Sequence, residues 1–214
     1  MRKAGANRDI TWLSIRKAAV ELLYERGFEG MKLRELSSTA GLQAGSLYNY
    51  FSSKEELLFR LVTETMDELI TELATAIALE SDPVEQLKNL IRVLVVRHSE
   101  RRKEVYIGHL EMRGMPENRL RDYVARRDRV ERFLQDIITA GRKAGRFHVP
   151  DEKIASMVIL TMLAGIADWY RPNGRLSVKQ LVTTYTALIL KILEPQQAAD
   201  VIKRAGTVKV ASAA

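Results

Sequence analysis

Apolar residues recur at helical spacing along almost the whole chain, and no stretch alternates long enough to predict a strand. Over residues 10–26, Ile15, Ala18, Ala19, Leu22 and Leu23 form one apolar stripe. Gly27 supplies a natural C-terminal stop, and Phe28 returns the chain to the core. Short helices are predicted over about 33–40 and 44–51, with a turn around Gly41 between them. Ser52-Ser53 followed by Lys54-Glu55-Glu56 places an N-cap ahead of an acidic first turn, which suits the helix dipole. The helix begun there should run to about residue 80 as a long connector. Asp82-Pro83 opens the next one, with proline at a position where its missing N–H is harmless. Helices are expected over 83–99, 102–113, 117–144, 151–170 and 177–193, with breaks at 114–116, 145–150 and 171–174. Residues 195–214 lack a clean stripe and are expected to be a flexible tail.

Composition narrows this all-α reading. Hydrophobic residues make up 46% and charged residues 29%, as in ordinary globular proteins. The absence of cysteine excludes disulfides and thiolate metal sites, and the three histidines are scattered, so no metal site is expected. The first ten residues are polar and charged and lack the apolar core of a signal peptide, and no apolar run of about 18 residues suggests a membrane span, so neither is expected. A cytoplasmic location is therefore expected. The net charge of +7 favours a polyanionic partner. Residues 1–60 hold ten Lys/Arg against seven Asp/Glu, and residues 97–146 fourteen against eight. Much of the excess thus lies outside the N-terminal region.

The most informative segment is 33–51, which reads as two short helices around a glycine turn, a helix-turn-helix. Leu36, Ala40, Leu42, Leu47 and Phe51 would lock the pair together, while Ala44, Gly45, Ser46, Tyr48 and Asn49 face outward. Small residues allow close backbone approach to a groove, and Tyr48 and Asn49 can reach base edges or methyl groups. Arg26-Gly27-Phe28, Arg34-Glu35-Leu36-Ser37, Ala40-Gly41-Leu42, Gly45-Ser46-Leu47-Tyr48-Asn49-Tyr50-Phe51 and Ser52-Ser53-Lys54-Glu55-Glu56-Leu57 closely resemble the TetR/AcrR family pattern. The resemblance covers about residues 10–60. It implies base contacts by Ala44, Gly45, Tyr48 and Asn49, and groove or phosphate contacts by Arg34, Ser46, Tyr50 and Lys54. The family often carries Thr-Thr where Met31-Lys32 stands, so Lys32 would replace a hydroxyl cap with a direct charge contact. Ala44 stands where a lysine is common, which shifts weight to Arg34 and to Arg2, Lys3 and Arg8 of a flexible N-terminal arm. The expected organisation is a DNA-binding domain at 1–54, a ligand-sensing and dimerisation domain at 55–194 and a tail at 195–214. Such a protein is a homodimeric regulator that binds palindromic double-stranded operator DNA as a repressor and is released by a small-molecule inducer.

Two C-terminal segments have the composition of a dimer bundle. Ile154, Val158, Thr161, Met162, Gly165 and Ile166 make one broad face, and Leu181, Thr184, Tyr185, Leu188 and Ile192 another. An internal hairpin packed on its own domain is the alternative. The run Asp168-Trp169-Tyr170-Arg171-Pro172-Asn173-Gly174-Arg175-Leu176-Ser177 resembles a loop of acyl-CoA-responsive repressors. That resemblance implies an acyl-CoA inducer and no resident cofactor. Arg97, Arg101, Arg102, Arg113 and Arg171 are the candidates for its phosphates. Tyr106, Leu110, Met112, Met115 and Trp169 are the candidates for its acyl path. A plainer reading of the arginines between 126 and 132 is a solvated face with pairs such as Asp122–Arg126 and Asp128–Arg132. A sensor of drug-like or other hydrophobic ligands is the rival within the family. A helical enzyme acting on CoA thioesters is the rival outside it, but no Walker loop, dinucleotide fingerprint, zinc motif or catalytic constellation appears.

Overall fold

The computed structural model describes residues 2–194, apart from the side chains of residues 2–7, Ala44 and Arg113. The expected tail at 195–214 lies outside the described residues. In chain order the α-helices are α1 (Arg2–Gly30), α2 (Leu33–Thr39), α3 (Lys54–Ala78), α4 (Pro83–Glu100), α5 (Arg102–Leu110), α6 (Glu117–Lys143), α7 (Glu152–Ala164), α8 (Ile166–Trp169) and α9 (Val178–Ile192). Two 3₁₀ helices intervene, Ala44–Asn49 between α2 and α3 and Glu111–Gly114 between α5 and α6. Among the described residues there is no strand.

Glycines set several of these boundaries. Gly27 takes φ 68° and interrupts α1 where the sequence placed its stop. Gly41 takes φ 70° after α2, where the Leu42 N–H donates to Ser37 O at 2.8 Å and the Gly41 N–H to Ser38 O at 3.1 Å. That double closure satisfies two orphan carbonyls and turns the chain sharply. Ser53 Oγ accepts the Glu56 N–H at 3.1 Å while the Glu56 carboxylate accepts the Ser52 N–H at 2.7 Å, so the start of α3 is capped from both directions. Ser177 and Gln180 cap α9 in the same reciprocal way, and Asp151 accepts the Ile154 N–H at 2.8 Å to begin α7. At the N-terminus the expected flexible arm is instead helical backbone from Arg2. The expected single helix over 151–170 is divided at Gly165.

The chain divides into two compact units. Among the described residues, the first comprises 2–71, 98–129 and 167–169; the second comprises 72–97, 130–166 and 170–194. The first has its core where Ile15, Ala19 and Leu23 of α1 meet Leu36, Leu47, Phe51 and the Leu57, Leu58 and Leu61 stripe of α3. Ile107, Met112, Met115 and Tyr123 extend that core. In the second unit Leu87, Leu90, Ile91 and Leu94 of α4 are fully buried, as are Leu134 and Ile138 of α6, Ile159 and Leu163 of α7 and Ile189 of α9. No helix among the described residues is long and apolar enough to cross a membrane.

Candidate nucleic-acid interface

The segment 44–49 departs from the α-helix expected of it. Its hydrogen bonds close over three residues: the Ser46 N–H donates to Gln43 O at 2.9 Å and the Tyr50 N–H to Leu47 O at 2.9 Å. Six residues including Gly45, Ser46 and Asn49 favour α geometry only weakly, so the register yields to the seating of Leu47 and Phe51 in the core. At three residues per turn, Gly45 and Tyr48 fall in one column and Ser46 and Asn49 in the next. Leu47 and the following Phe51 are 1% and 2% exposed and pin the segment to the core. Tyr48 stands 60% exposed beside the exposed Gly45 and Asn49, with Ser46 half-buried. A Cβ on Gly45 would meet nothing within 4 Å.

The flanking residues carry the charge. Arg34 is exposed on α2. Glu35, a potential competitor for it, pairs instead with Arg26. Lys32 occupies the N-cap of α2 with its side chain exposed and making no cap bond. Lys54 opens α3, where its ammonium donates to Glu29 O at 3.3 Å and lies 4.5 Å from the centroid of the Phe28 ring. Tyr50 is half-buried. The side chain of Ala44 is not among those described.

Two arginines hold the carboxyl end of the 3₁₀ helix. Arg8 donates to Asn49 O at 3.1 Å and sits 5.8 Å from the Tyr50 ring centroid. Arg60 donates to Tyr50 O at 3.3 Å, stacks 3.5 Å from the centroid of the Trp12 ring and pairs with Glu64 at 2.7 Å. Glu64 in turn accepts the Trp12 Nε1–H at 2.9 Å. Arg60 was missed in the sequence, because a contact ten residues back from the second turn of α3 leaves no local signal.

The candidate ligand residues fall in both units. In the first, Arg101 pairs with Glu68, and Tyr106 meets Tyr24 edge-on with ring centroids 5.2 Å apart. Leu110 and Trp169 are exposed, whereas Met112 and Met115 are core residues at 1% and 8% exposure. Arg102 donates to Ala167 O at 3.0 Å. In the second, Arg97 is buried and pairs with Glu72 at 2.6 Å, and the exposed Arg171 donates to Tyr170 O at 2.9 Å. The Arg113 side chain is not among those described. Glu68 also pairs with Arg16. Burial alone would raise its carboxyl, but hydrogen bonds and charge from Arg16 and Arg101 hold it down to about 2. The expected Asp122–Arg126 pair is replaced: Arg126 reaches Asp67 on α3 at 2.8 Å and gives Asp122 only a bond to its backbone oxygen.

The proposed dimer faces also resolve into two sides. On α7, Ile154, Val158 and Thr161 are exposed, Met162 and Gly165 half-buried, and Ile166 fully buried at the start of α8. On α9, Leu181 and Tyr185 turn inward, while Thr184, Leu188 and Ile192 turn outward. Met157, unremarked in the sequence, is 52% exposed beside Ile154 and Val158.

Comparison with known proteins settles the family. Residues 15–61 match the model described as bacterial regulatory proteins, tetR family, and residues 80–193 match that described as tetracyclin repressor-like, C-terminal domain. The HTH-type transcriptional repressor KstR2 of Mycobacterium tuberculosis is 26% identical over 176 residues, which span 80% of this chain and 87% of that protein. Among solved structures, the TetR family regulator PfmR from Thermus thermophilus has a TM-score of 0.77 at 27% identity, over 85% of this chain and 99% of that one. AibR in complex with isovaleryl coenzyme A and operator DNA shares the fold, with a TM-score of 0.78 at 23% identity over 86% and 100% of the two chains. With both halves matched and the helix-turn-helix in place, the chain belongs to the TetR family and is a transcriptional regulator, not an enzyme.

Proposed function

We propose that this regulator represses transcription in the cytoplasm by binding a palindromic operator as a homodimer, and that an acyl-CoA releases it. In this reading residues 1–54 serve DNA and residues 55–194 serve sensing and dimerisation. The observation that carries the DNA contact is Tyr48, 60% exposed on a segment whose Leu47 and Phe51 are buried. A large aromatic held outward by its buried neighbours, next to an open glycine and flanked by Lys32, Arg34 and Lys54, has the shape and charge of a groove reader. One six-residue element offers little affinity, so two copies about one DNA turn apart are needed. The exposed stripe of Ile154, Met157 and Val158 on α7 with Leu188 and Ile192 on α9 is the surface a second copy would cover.

An acyl-CoA is favoured over a drug-like cation by charge. Among the described residues, the buried polar set includes Arg97 and His98 and no carboxylate. The fold shared with AibR, crystallised with isovaleryl coenzyme A, and the loop from Trp169 to Pro172 point the same way. Release requires the ligand to favour one arrangement over another. Arg60 supplies a lever for it, since a shift in the first turns of α3 would carry the Tyr50 carbonyl with it. Mobility-shift titration of genomic fragments tests the reading. A selective, salt-sensitive complex of dimer stoichiometry, dissolved by isovaleryl-CoA or palmitoyl-CoA, is expected. Release by a neutral drug-like compound and by no thioester would remove the acyl-CoA assignment.

A further inference from the structure

Among the described residues, Ser99 Oγ and Arg119 Nη1 are fully enclosed polar atoms without a hydrogen-bond partner, and both lie in the first unit. An unsatisfied guanidinium donor is the costlier of the two and calls for an explanation. Arg119 stands in the first turn of α6, with its guanidinium carbon 5.4 Å from the centroid of the Phe59 ring. Tyr123 follows one turn later on the same helix face. The residue is 5% exposed, and no described residue hydrogen-bonds its hydroxyl. That hydroxyl lies against α5 where there is no side chain: a Cβ on Gly108 would sit 3.2 Å from the oxygen and 3.6 Å from Val62 Cγ1.

One turn to either side of this phenol α6 carries a cation, Arg119 and Arg127, while the adjacent Asp122 is acidic. Burial pushes the phenol up, and the positive charge of Arg127, one turn beyond, opposes that rise. Arg119 stands one turn before it. From α3, Glu55 and Glu56 feel Arg119, but each is held low mainly by other bonds, Glu55 by its own backbone and Ser53, Glu56 by Ser52. An enclosed guanidinium donor and, one turn on, a phenolic hydroxyl that no described residue bonds together offer donors to an acceptor oxygen that carries negative charge.

We propose that Arg119 and Tyr123 form an anion-binding end of the sensing site, gripping a carboxylate or phosphate oxygen of the effector through a guanidinium N–H and the phenolic O–H. The proposal deepens the function given above and rests on it only in requiring an anionic effector. An acyl-CoA would supply a phosphate, a free acid its carboxylate.

Calorimetric titration of the full chain with isovaleryl-CoA, palmitoyl-CoA, coenzyme A, isovalerate and palmitate separates these sources. The wild type is compared with Arg119→Gln and Tyr123→Phe. At least one probe should bind the wild type, roughly tenfold to a hundredfold weaker after Arg119→Gln and less strongly weakened after Tyr123→Phe. Operator affinity without effector should stay unchanged in both variants. The thermal midpoint of Tyr123→Phe should not fall, since its hydroxyl has no partner to lose; a purely structural hydroxyl would lower it and overturn the proposal. Weakened binding of a free acid, with no thioester bound by the wild type, supports this site and removes the acyl-CoA reading. Thioester binding at wild-type strength in both variants removes this site and leaves that reading intact. Failure of all five probes to bind the wild type overturns both.

Discussion

A methyl group added at Gly45 would meet nothing within 4 Å, whereas one added at Gly141 would fall 2.0 Å from Phe147 Cδ2. The two glycines therefore answer to different demands. At Gly45 the space is open on the protein side, and alanine is the better helix former by up to about 1 kcal/mol. Gly45→Ala should leave thermal stability unchanged or slightly raised while weakening operator binding, because its methyl would project toward the groove. An unaltered operator affinity would remove Gly45 from the reading surface. At Gly141 the buried Phe147 ring occupies the space a side chain would need. Gly141→Ala should lower stability in denaturant titration by about 1–3 kcal/mol, the scale of overpacking a filled core. At this scale the sequence was informative about the anchors. Leu47 and Phe51 read as core from spacing alone, with Tyr48 facing outward between them. Arg8 and Arg60 gained their roles only from tertiary contacts with the carbonyls of Asn49 and Tyr50.

Between residues and the whole chain, helix boundaries were legible because capping is local. The Ser53–Glu56 cap and Pro83 mark helix starts the structure shows, and Gly27 marks the break inside α1, which runs on to Gly30. The 3₁₀ character of 44–49 was not legible, since hydrogen-bond register depends on how Leu47 and Phe51 seat in the core. The α9 face was also drawn too broadly: its inner ridge is Leu181, Tyr185 and Ile189, and its outer ridge Thr184, Leu188 and Ile192. Apolar content alone cannot separate two such ridges on one helix. The ties between α1, α3 and α5 predict a pH signature. Glu68 is lowered from 4.5 to about 2 by Arg16 and Arg101 against the cost of burial. A carboxyl lowered in the folded state contributes stability that is complete above its unfolded value and lost as pH falls through the folded one. The wild type should therefore lose stability between pH 4.5 and about 2. Glu68→Gln should flatten that limb in acid-unfolding curves, and an equal slope in the two proteins would refute the assignment.

The molecule as a whole was read most easily in its fold class and N-terminal half, and least easily in its sensor. Helical periodicity and a fixed-spacing helix-turn-helix are legible because each is a local requirement. Ligand specificity is assembled from distant elements, and the sequence candidates scattered accordingly: Met112 and Met115 lie in the core, Arg101 faces a carboxylate, and Trp169 stands exposed. The orphaned Arg119 Nη1 is visible only once packing shows what fails to reach it. Dimerisation makes a prediction at this scale. Leu188 is 47% exposed, so Leu188→Glu should leave the protomer folded while shifting its mass by light scattering toward the monomer, and operator affinity should fall with it. A variant that remains fully dimeric would move the interface elsewhere.

The most direct test is the binding of wild type and Tyr48→Ala to the same operator fragment, followed by fluorescence anisotropy at low and high salt. A loss of about 1–3 kcal/mol for the operator, with binding to unrelated DNA and its salt dependence nearly unchanged, is the expected result. Equal operator affinity in the two proteins would contradict the assignment of this face as the one that reads DNA.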